Sequence, residues 1–452
     1  MDSDDRTFTE SLGSQLPPEI VDLIIRFAVP ELDPHSLSSV ALTSQHHRVL
    51  ANTQRFSSIS FICFEEGRHN RKEEKRIVRL SRLMQRGGRP LNMRATRTFI
   101  TSLSLRERGG HSFAFFRNAD ALCVIFDNLF RDPAILDAPK RILSIDIGRD
   151  QKLSNWNGPL LQSLLSLLRT SYLNELHLLK GGGLPVDLVL GSNVEHLRFG
   201  SWAQFGNRLP KGSARPVTLK SLWIEFWAGY DLEVYIKFIC GKKEAPPTIF
   251  SCLTTLTVFY ASNELIATIL GMTKCLETLT VGVHFSKKGV DDEPFIPYHS
   301  LPFLKNLHIK CRYDTVYSIT QESVPIKMLG GFTPPPLLES LTVSIISTIQ
   351  HYDMWEYPMF EQVRLFTPWR RNVWDEHLAA LPLRSTTKVD VEVEMCSLMG
   401  TSSNPDPPRW KEQLDAYFKA AFPLCADVHH KFRVFFHGSN YPWRTVGETA
   451  QV

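Results

Sequence analysis

Cys425, His429, His430 and His437, all residue types that bind zinc, crowd a short stretch near the C-terminus. Their spacing argues against a shared metal. "KFRVFFH" (431–437) alternates like a strand, and strand alternation sends adjacent histidines to opposite faces. "GGG" at 181–183 leads into "LPVDLVL" without the Lys and Ser/Thr that a phosphate loop requires, so it reads as a flexible turn. "DDE" at 291–293 lies between Lys287-Lys288 and Pro294 in a loop-like stretch, where carboxylates are solvated rather than metal-bound. There is no G-x-S-x-G elbow, Walker loop, H-E-x-x-H helix or dinucleotide-binding glycine pattern. The expectation is a chain with no catalytic residues, no cofactor and no metal.

Residues suited to recognition recur more regularly. An apolar-x-x-apolar-x-apolar phrase appears as "ITSLSL" (100–105), "ILSIDI" (142–147), "LNELHL" (173–178), "VEHLRF" (194–199), "LKSLWI" (219–224), "LTTLTV" (253–258), "LETLTV" (276–281), "LKNLHI" (304–309), "LESLTV" (338–343) and "FEQVRL" (360–365). In a strand the two apolar residues flanking the middle position point inward, and the middle one faces the other side. Those middle positions are Ser104, Asp146, His177, Arg198, Trp223, Thr257, Thr280, His308, Thr342 and Arg364. Each taken alone reads as a solvated strand residue. Together they mix charge, hydroxyl and aromatic groups, and Trp and Arg are common anchors at protein interfaces. Asp146, His177, Arg198, Trp223, His308 and Arg364 are therefore the candidate face for a target protein.

Such a row needs strands to carry it and helices to return the chain. Helix-like stretches stand between several copies: "NADALCVIFDNLF" (118–130), "PLLQSLLSLL" (159–168), "DLEVYIKFIC" (231–240) and "ELIATILG" (264–271). Strand alternating with helix predicts parallel βα units. The phrase resembles the strand segment of leucine-rich repeats, which bury their apolar faces only by stacking. The spacing is uneven, with central residues 21 apart at the shortest (197 − 176) and 42 at the longest (145 − 103), and no copy keeps the family's Asn or Cys shortly after the strand. The expected fold class is α/β, an irregular leucine-rich-repeat-like βα solenoid with parallel strands over 97–399. An ordinary α/β sheet is the open alternative.

The N-terminal part reads differently. Wound at 100° per residue, Ile20, Val21, Leu23, Ile24, Ile25, Phe27 and Ala28 of "LPPEIVDLIIRFAVPEL" (16–32) cover an apolar arc of roughly 200°, leaving Glu19, Asp22 and Arg26 as a narrow polar stripe. One short helix so covered needs two apolar partners. In "PELDPHSLSSVALTSQHHRVLANT" Pro30 stops the first helix, Asp33 caps a second and Pro34 is pre-set for its start. Leu37, Val40 and Ala41 keep helical spacing, and Val49 with Leu50 continue a third segment. A unit this small does not bury enough surface to fold alone.

These residues resemble an F-box, the adaptor-binding module of SCF-type ubiquitin ligases, in the style of the large families of mushroom-forming fungi. The matching positions are Leu16, Pro17, Glu19, Ile20, Ile24, Asp33, Pro34, Leu37, Ala41, Leu42, Ser44, Leu50 and Ala51, while Thr43 and His47 stand where the family usually has Val and Trp. The resemblance implies that Leu16, Pro17, Glu19, Ile20, Ile24, Leu37 and Leu42 contact the adaptor, with a cullin scaffold reached through it. It also implies a small three-helix module over 14–58. The alternative is that both apolar faces pack on the chain's own later segments.

"RHNRKEEKRIVRLSRLMQRGGRP", which begins at residue 68, is the one basic concentration. Ile77, Leu80, Leu83 and Met84 fall at helical spacing opposite the arginines, and Gly87-Gly88 ends the pattern. Without interleaved aromatics it reads as a solvated amphipathic helix, connecting over 59–96, and not as a nucleic-acid platform.

At 452 residues the chain is too long for one ordinary core. Its net charge of +4 is too small to argue for nucleic acid or a membrane surface. The eight cysteines never form C-x-x-C and mostly sit in apolar runs, where a reduced thiol packs as a small hydrophobe. "MDSDDRTFTE" has no apolar signal core, and no run of about 18 apolar residues occurs, so an intracellular protein of the cytoplasm or nucleus is expected. The remaining segments read as an N-terminal tail over 1–13, a linker "GTSSNPDPP" over 400–408, a capping helix and strand over 409–443, and a tail over 444–452. Two functions fit: a substrate-recognition subunit of an SCF-type ubiquitin ligase, or a non-ligase repeat scaffold.

Overall fold

A computed structural model describes residues 18–64, 68–85, 100–108, 114–130, 141–146, 158–169, 173–184, 192–205, 218–225, 250–259, 263–285, 296–313, 329, 332–349, 371–397, 422–429 and 431–439. The expected tails at 1–13 and 444–452, the linker at 400–408 and the helix-like stretch at 231–240 lie outside these residues, as do Leu16, Pro17 and Arg364. The protein is an α/β chain in which every described strand pairing is parallel. Two compact units, Met1–His177 and Leu178–Val452, divide it.

The first unit opens with three helices, α1 (Pro18–Ala28), α2 (Pro34–Thr43) and α3 (Gln45–Phe56). Asp33 caps α2 as its sequence position demands, its Oδ1 accepting from the N–H of His35 at 2.8 Å and of Ser36 at 3.1 Å. Ser44 does the same for α3, accepting from the N–H of His47 at 3.0 Å. Val29, Leu37 and Ala51 form the core of the module, with Ile25, Leu32, Val40 and Ala41 packed around them.

Next come β1 (Ser58–Phe64), α4 (Arg68–Gln85), β2 (Ser102–Arg108), α5 (Ala119–Phe130), β3 (Ile142–Asp146) and α6 (Gly158–Leu168). β1 pairs with β2, and β2 with β3. The strand-and-helix pattern therefore begins at Ser58 and not near residue 97, and α4 is a crossover between two parallel strands where a free-standing connector was expected. "SISFICF" lacks the repeat's leucines, yet in register Ile59 stands at the place of Leu103 and Phe61 at that of Leu105, with Phe61 buried at 1% exposure. The inner stripe of α4 is Ile77, Ser81 and Met84. Leu83, expected on that stripe, is exposed.

β4 (Glu175–Leu184) begins at the end of this unit. The second unit carries β5 (His196–Phe205), β6 (Ser221–Glu225), β7 (Thr255–Phe259), α7 (Asn263–Met272), β8 (Thr278–Phe285), β9 (Asn306–Tyr313), β10 (Ser340–Ile349), α8 (Arg371–Ala379), β11 (Lys388–Ser397), α9 (Pro423–Val428) and β12 (Phe432–Ser439). From β5 to β12 each strand pairs with the next in sequence order. The two inward apolar positions line up across it. Leu222, Leu256, Leu279, Leu307, Leu341 and Val389 are in register, and each is at 1% exposure or less.

β10 pairs directly with β11, which takes the place expected for "FEQVRL"; that phrase lies outside the described residues. β11 escaped the pattern because Thr386 stands where other copies carry their first leucine. At the opposite end from the missing asparagines, where the strands begin, the backbone itself ties adjacent copies together. The carbonyl of the residue just before each strand accepts two N–H groups of the next copy: Lys220 O from Thr254 N (2.9 Å) and Thr255 N (3.1 Å), Thr254 O from Glu277 N (2.8 Å) and Thr278 N (2.9 Å), and Glu277 O from Lys305 N (2.8 Å) and Asn306 N (3.0 Å). A carbonyl's two lone pairs serve this geometry without a dedicated side chain.

Candidate functional site

The apolar arc of α1 divides as the sequence demands. Ile25 packs on the module's core, while Ile20, Leu23 and Ile24 are 42%, 50% and 52% exposed. Asp22, on the polar stripe, bonds His46 of α3 at 2.6 Å and fixes the helix pair. Glu19 and Leu42 are exposed as well. Leu37 is not available to a partner: it is 5% exposed at the centre of the module's own core, because α2 turns that side toward Val29 and Ala51. It is removed from the candidate adaptor residues.

The middle positions of the strands also form real rows. In the first unit Ser60, Ser104 and Ser144 are in register. Asp146 is not in that row; it pairs with Arg106, two residues further along the same face. The phrase "ILSIDI" was aligned one pleat period late, since Leu143 and Ile145 are the inward pair. His177, at the end of the unit, bonds Glu175 at 2.6 Å on the same side of its strand.

In the second unit the row reads Arg198, Trp223, Thr257, Thr280, His308, Thr342, Asp390 and Arg433, one residue per strand from β5 to β12. Three expected residues, Arg198, Trp223 and His308, are thus brought onto one face. At one end Arg198 Cζ lies 4.4 Å from the centre of the Trp223 ring, a cation–π contact, and Trp223 meets Phe259 at 5.4 Å between ring centres. Phe259 lies over Gly282 of the next strand, where any side chain would collide with its ring.

At the other end a hydrogen-bond chain crosses three strands. Ser344 Oγ is 2.5 Å from His308 Nε2 and 2.5 Å from Glu392 Oε2. A carboxylate only accepts, so the Ser344 hydroxyl donates to Glu392 and accepts from the Nε2–H of His308. Burial, and Lys310 after it, push the His308 pKa down to about 4 against the opposing pull of Glu392, which keeps the ring neutral. This is not a hydrolase triad, in which the imidazole stands between hydroxyl and carboxylate and removes the hydroxyl proton. Beside it Arg433 holds Asp390 in a two-pronged pair, Nε to Oδ1 at 2.9 Å and Nη2 to Oδ2 at 3.1 Å, and Lys388 adds a third contact at 2.8 Å.

Phe259, Ser344, Glu392, Asp390 and Arg433 were missed in the sequence. The strict alternation of "KVDVEVEM" was a usable strand signal for Glu392 and Asp390. Nothing local points to Ser344 as the bridge.

The zinc-like group resolves into structure. His429 is buried in the place of the first repeat leucine, with Nε2 2.9 Å from the carbonyl of Leu378. Cys425 is buried, its N–H donating to Asp375 at 2.8 Å. Among the described residues no group of three or more His, Cys, Asp or Glu side chains is placed to hold a metal, and no helix is long and apolar enough to cross a membrane. Compared with models of known protein families the chain matches none, and no curated protein matches it either.

Proposed function

We propose that this chain is the substrate-recognition subunit of an SCF-type ubiquitin ligase, with α1 to α3 as an F-box and the strand array as a leucine-rich-repeat-like target-binding domain. The observation that supports this reading most is the split of α1. Its Ile25 completes the module's own core while Ile20, Leu23 and Ile24 face outward, the two-sided burial demand of an adaptor-binding helix. Glu19 and Leu42 extend the same exposed set.

In this reading the adaptor and its cullin hold the complex, and the far face of the strands holds a target. Arg198 and Trp223, positioned by the buried Phe259, supply an anchor, and His308, Glu392 and Arg433, held by the buried Ser344 and Asp390, supply directed polar contacts. The chain contributes position alone, raising the effective concentration of target lysines near a ubiquitin-charged enzyme. Such a complex works in the cytoplasm or nucleus.

Co-expression with an SCF adaptor tests it. The wild-type chain should co-purify with adaptor and cullin. The triple variant Ile20→Asp, Leu23→Asp, Ile24→Asp should lose both while keeping its circular dichroism spectrum, since these side chains are exposed. An unaltered complex would overturn the reading, and adaptor binding without cullin would leave a non-ligase scaffold.

A further inference from the structure

Cys252 and Cys275 occupy the same place in adjacent copies of the repeat. Each is the residue just before a buried leucine, Leu253 or Leu276, and each side chain is exposed. The register Thr255↔Thr278 and Leu256↔Leu279 sets an offset of 23 residues, which also relates 252 to 275 (275 − 252 = 23). Backbone bonds hold that offset one residue below the strands, where the Thr254 carbonyl accepts from Glu277 N at 2.8 Å and Thr278 N at 2.9 Å. Neighbouring strands run about 5 Å apart. A disulfide accepts Cα separations of roughly 4.4–6.8 Å, though its Cβ atoms must approach to about 4 Å. Both thiols are exposed and stand before the strands, outside the paired residues of β7 and β8.

We propose that Cys252 and Cys275 form a redox-responsive dithiol pair, a modification site that takes a small disulfide such as oxidised glutathione and converts to an inter-repeat disulfide. One thiolate attacks oxidised glutathione, giving a mixed disulfide and one glutathione thiol. The second thiolate then attacks the protein sulfur of that mixed disulfide. The Cys252–Cys275 bond forms, the second glutathione leaves, and the two thiol protons end on the two glutathione molecules. The bridge ties β7 and the chain through α7 to β8. Among the other described cysteines, Cys63, Cys311 and Cys425 are buried, and burial pushes all three thiols up in pKa, which removes them from exchange. The inference does not depend on the ligase reading.

The full chain is treated with oxidised glutathione, digested without reduction and mapped by mass. The expected result is a Cys252–Cys275 linked peptide within one chain, with no disulfide between chains, and a thermal midpoint that rises on oxidation and falls back with dithiothreitol. Cys252→Ser should instead carry glutathione on Cys275 and show no rise. The exposed site lets either serine variant fold. Both cysteines left free, both glutathionylated without a bridge, or a bridge between two chains would each overturn the proposal.

Discussion

Phe259 of one strand lies on the bare backbone of Gly282 in the next: a Cβ on that glycine would stand 2.7 Å from the ring's Cε1, with closer overlap at Cδ1. The glycine is required by its neighbour's size and not by a turn. Through Phe259 it also sets where Trp223, and with it Arg198, can sit.

Gly282→Ala should therefore destabilise the second unit by about 1–3 kcal/mol, the usual range for overpacking. Urea unfolding measures it. In a Phe259→Ala background the same change should cost much less, since the collision is gone; equal costs in both backgrounds would refute the packing account.

His308 predicts a pH dependence. Its folded pKa of about 4 is below the ordinary 6.5, so below about pH 6.5 the unfolded chain takes a proton that the folded chain refuses. Stability is unaffected by this group above 6.5 and falls as the pH drops from there toward 4. His308→Gln should flatten that part of the curve, read from unfolding midpoints across the interval. An unchanged slope would mean that the ring is not held neutral.

Asp33 acts in the opposite sense to His308 at the charge level but in the same direction of pH. Hydrogen bonds from the Ser36 hydroxyl and from the Ser36 and His35 N–H groups hold its carboxyl below the usual range. Its contribution is complete above the ordinary carboxylate pKa of about 3.9 and is lost as pH falls through the lower folded value. Asp33→Ala should lower the unfolding midpoint at neutral pH and remove this acid-limb loss. Asp33→Asn should keep part of the cap without the titration.

Asp375 is 3% exposed, and its carboxylate takes the N–H groups of Leu424 at 2.9 Å and Cys425 at 2.8 Å, starting α9 from α8. Asp375→Ala leaves both donors without that acceptor and should cost about 1–3 kcal/mol by thermal or urea unfolding. Asp375→Asn, which retains one acceptor oxygen, should recover part of the loss.

Local order is legible in the sequence. The cap at Asp33, the helix pattern of "PLLQSLLSLL" and the inward apolar pairs of eight phrases follow from preferences and periodicities spanning a handful of neighbouring residues. The parallel βα character followed from their alternation.

Which residues meet across strands was settled only by the folded chain. β1 joined the strands of the first unit and β11 those of the second although their copies of the phrase are degraded, because burial of Phe61 in the one unit's interior and of Val389 and Val391 in the other's matters more than leucine at each place. Leu37 turned into a core that its own helix could not specify. Ser344 came to join His308 and Glu392, 36 and 48 residues away, through register alone. Backbone preference is a property of adjacent residues, whereas register is set by hydrogen bonds and packing between segments far apart in the chain, and no short window of sequence contains both partners.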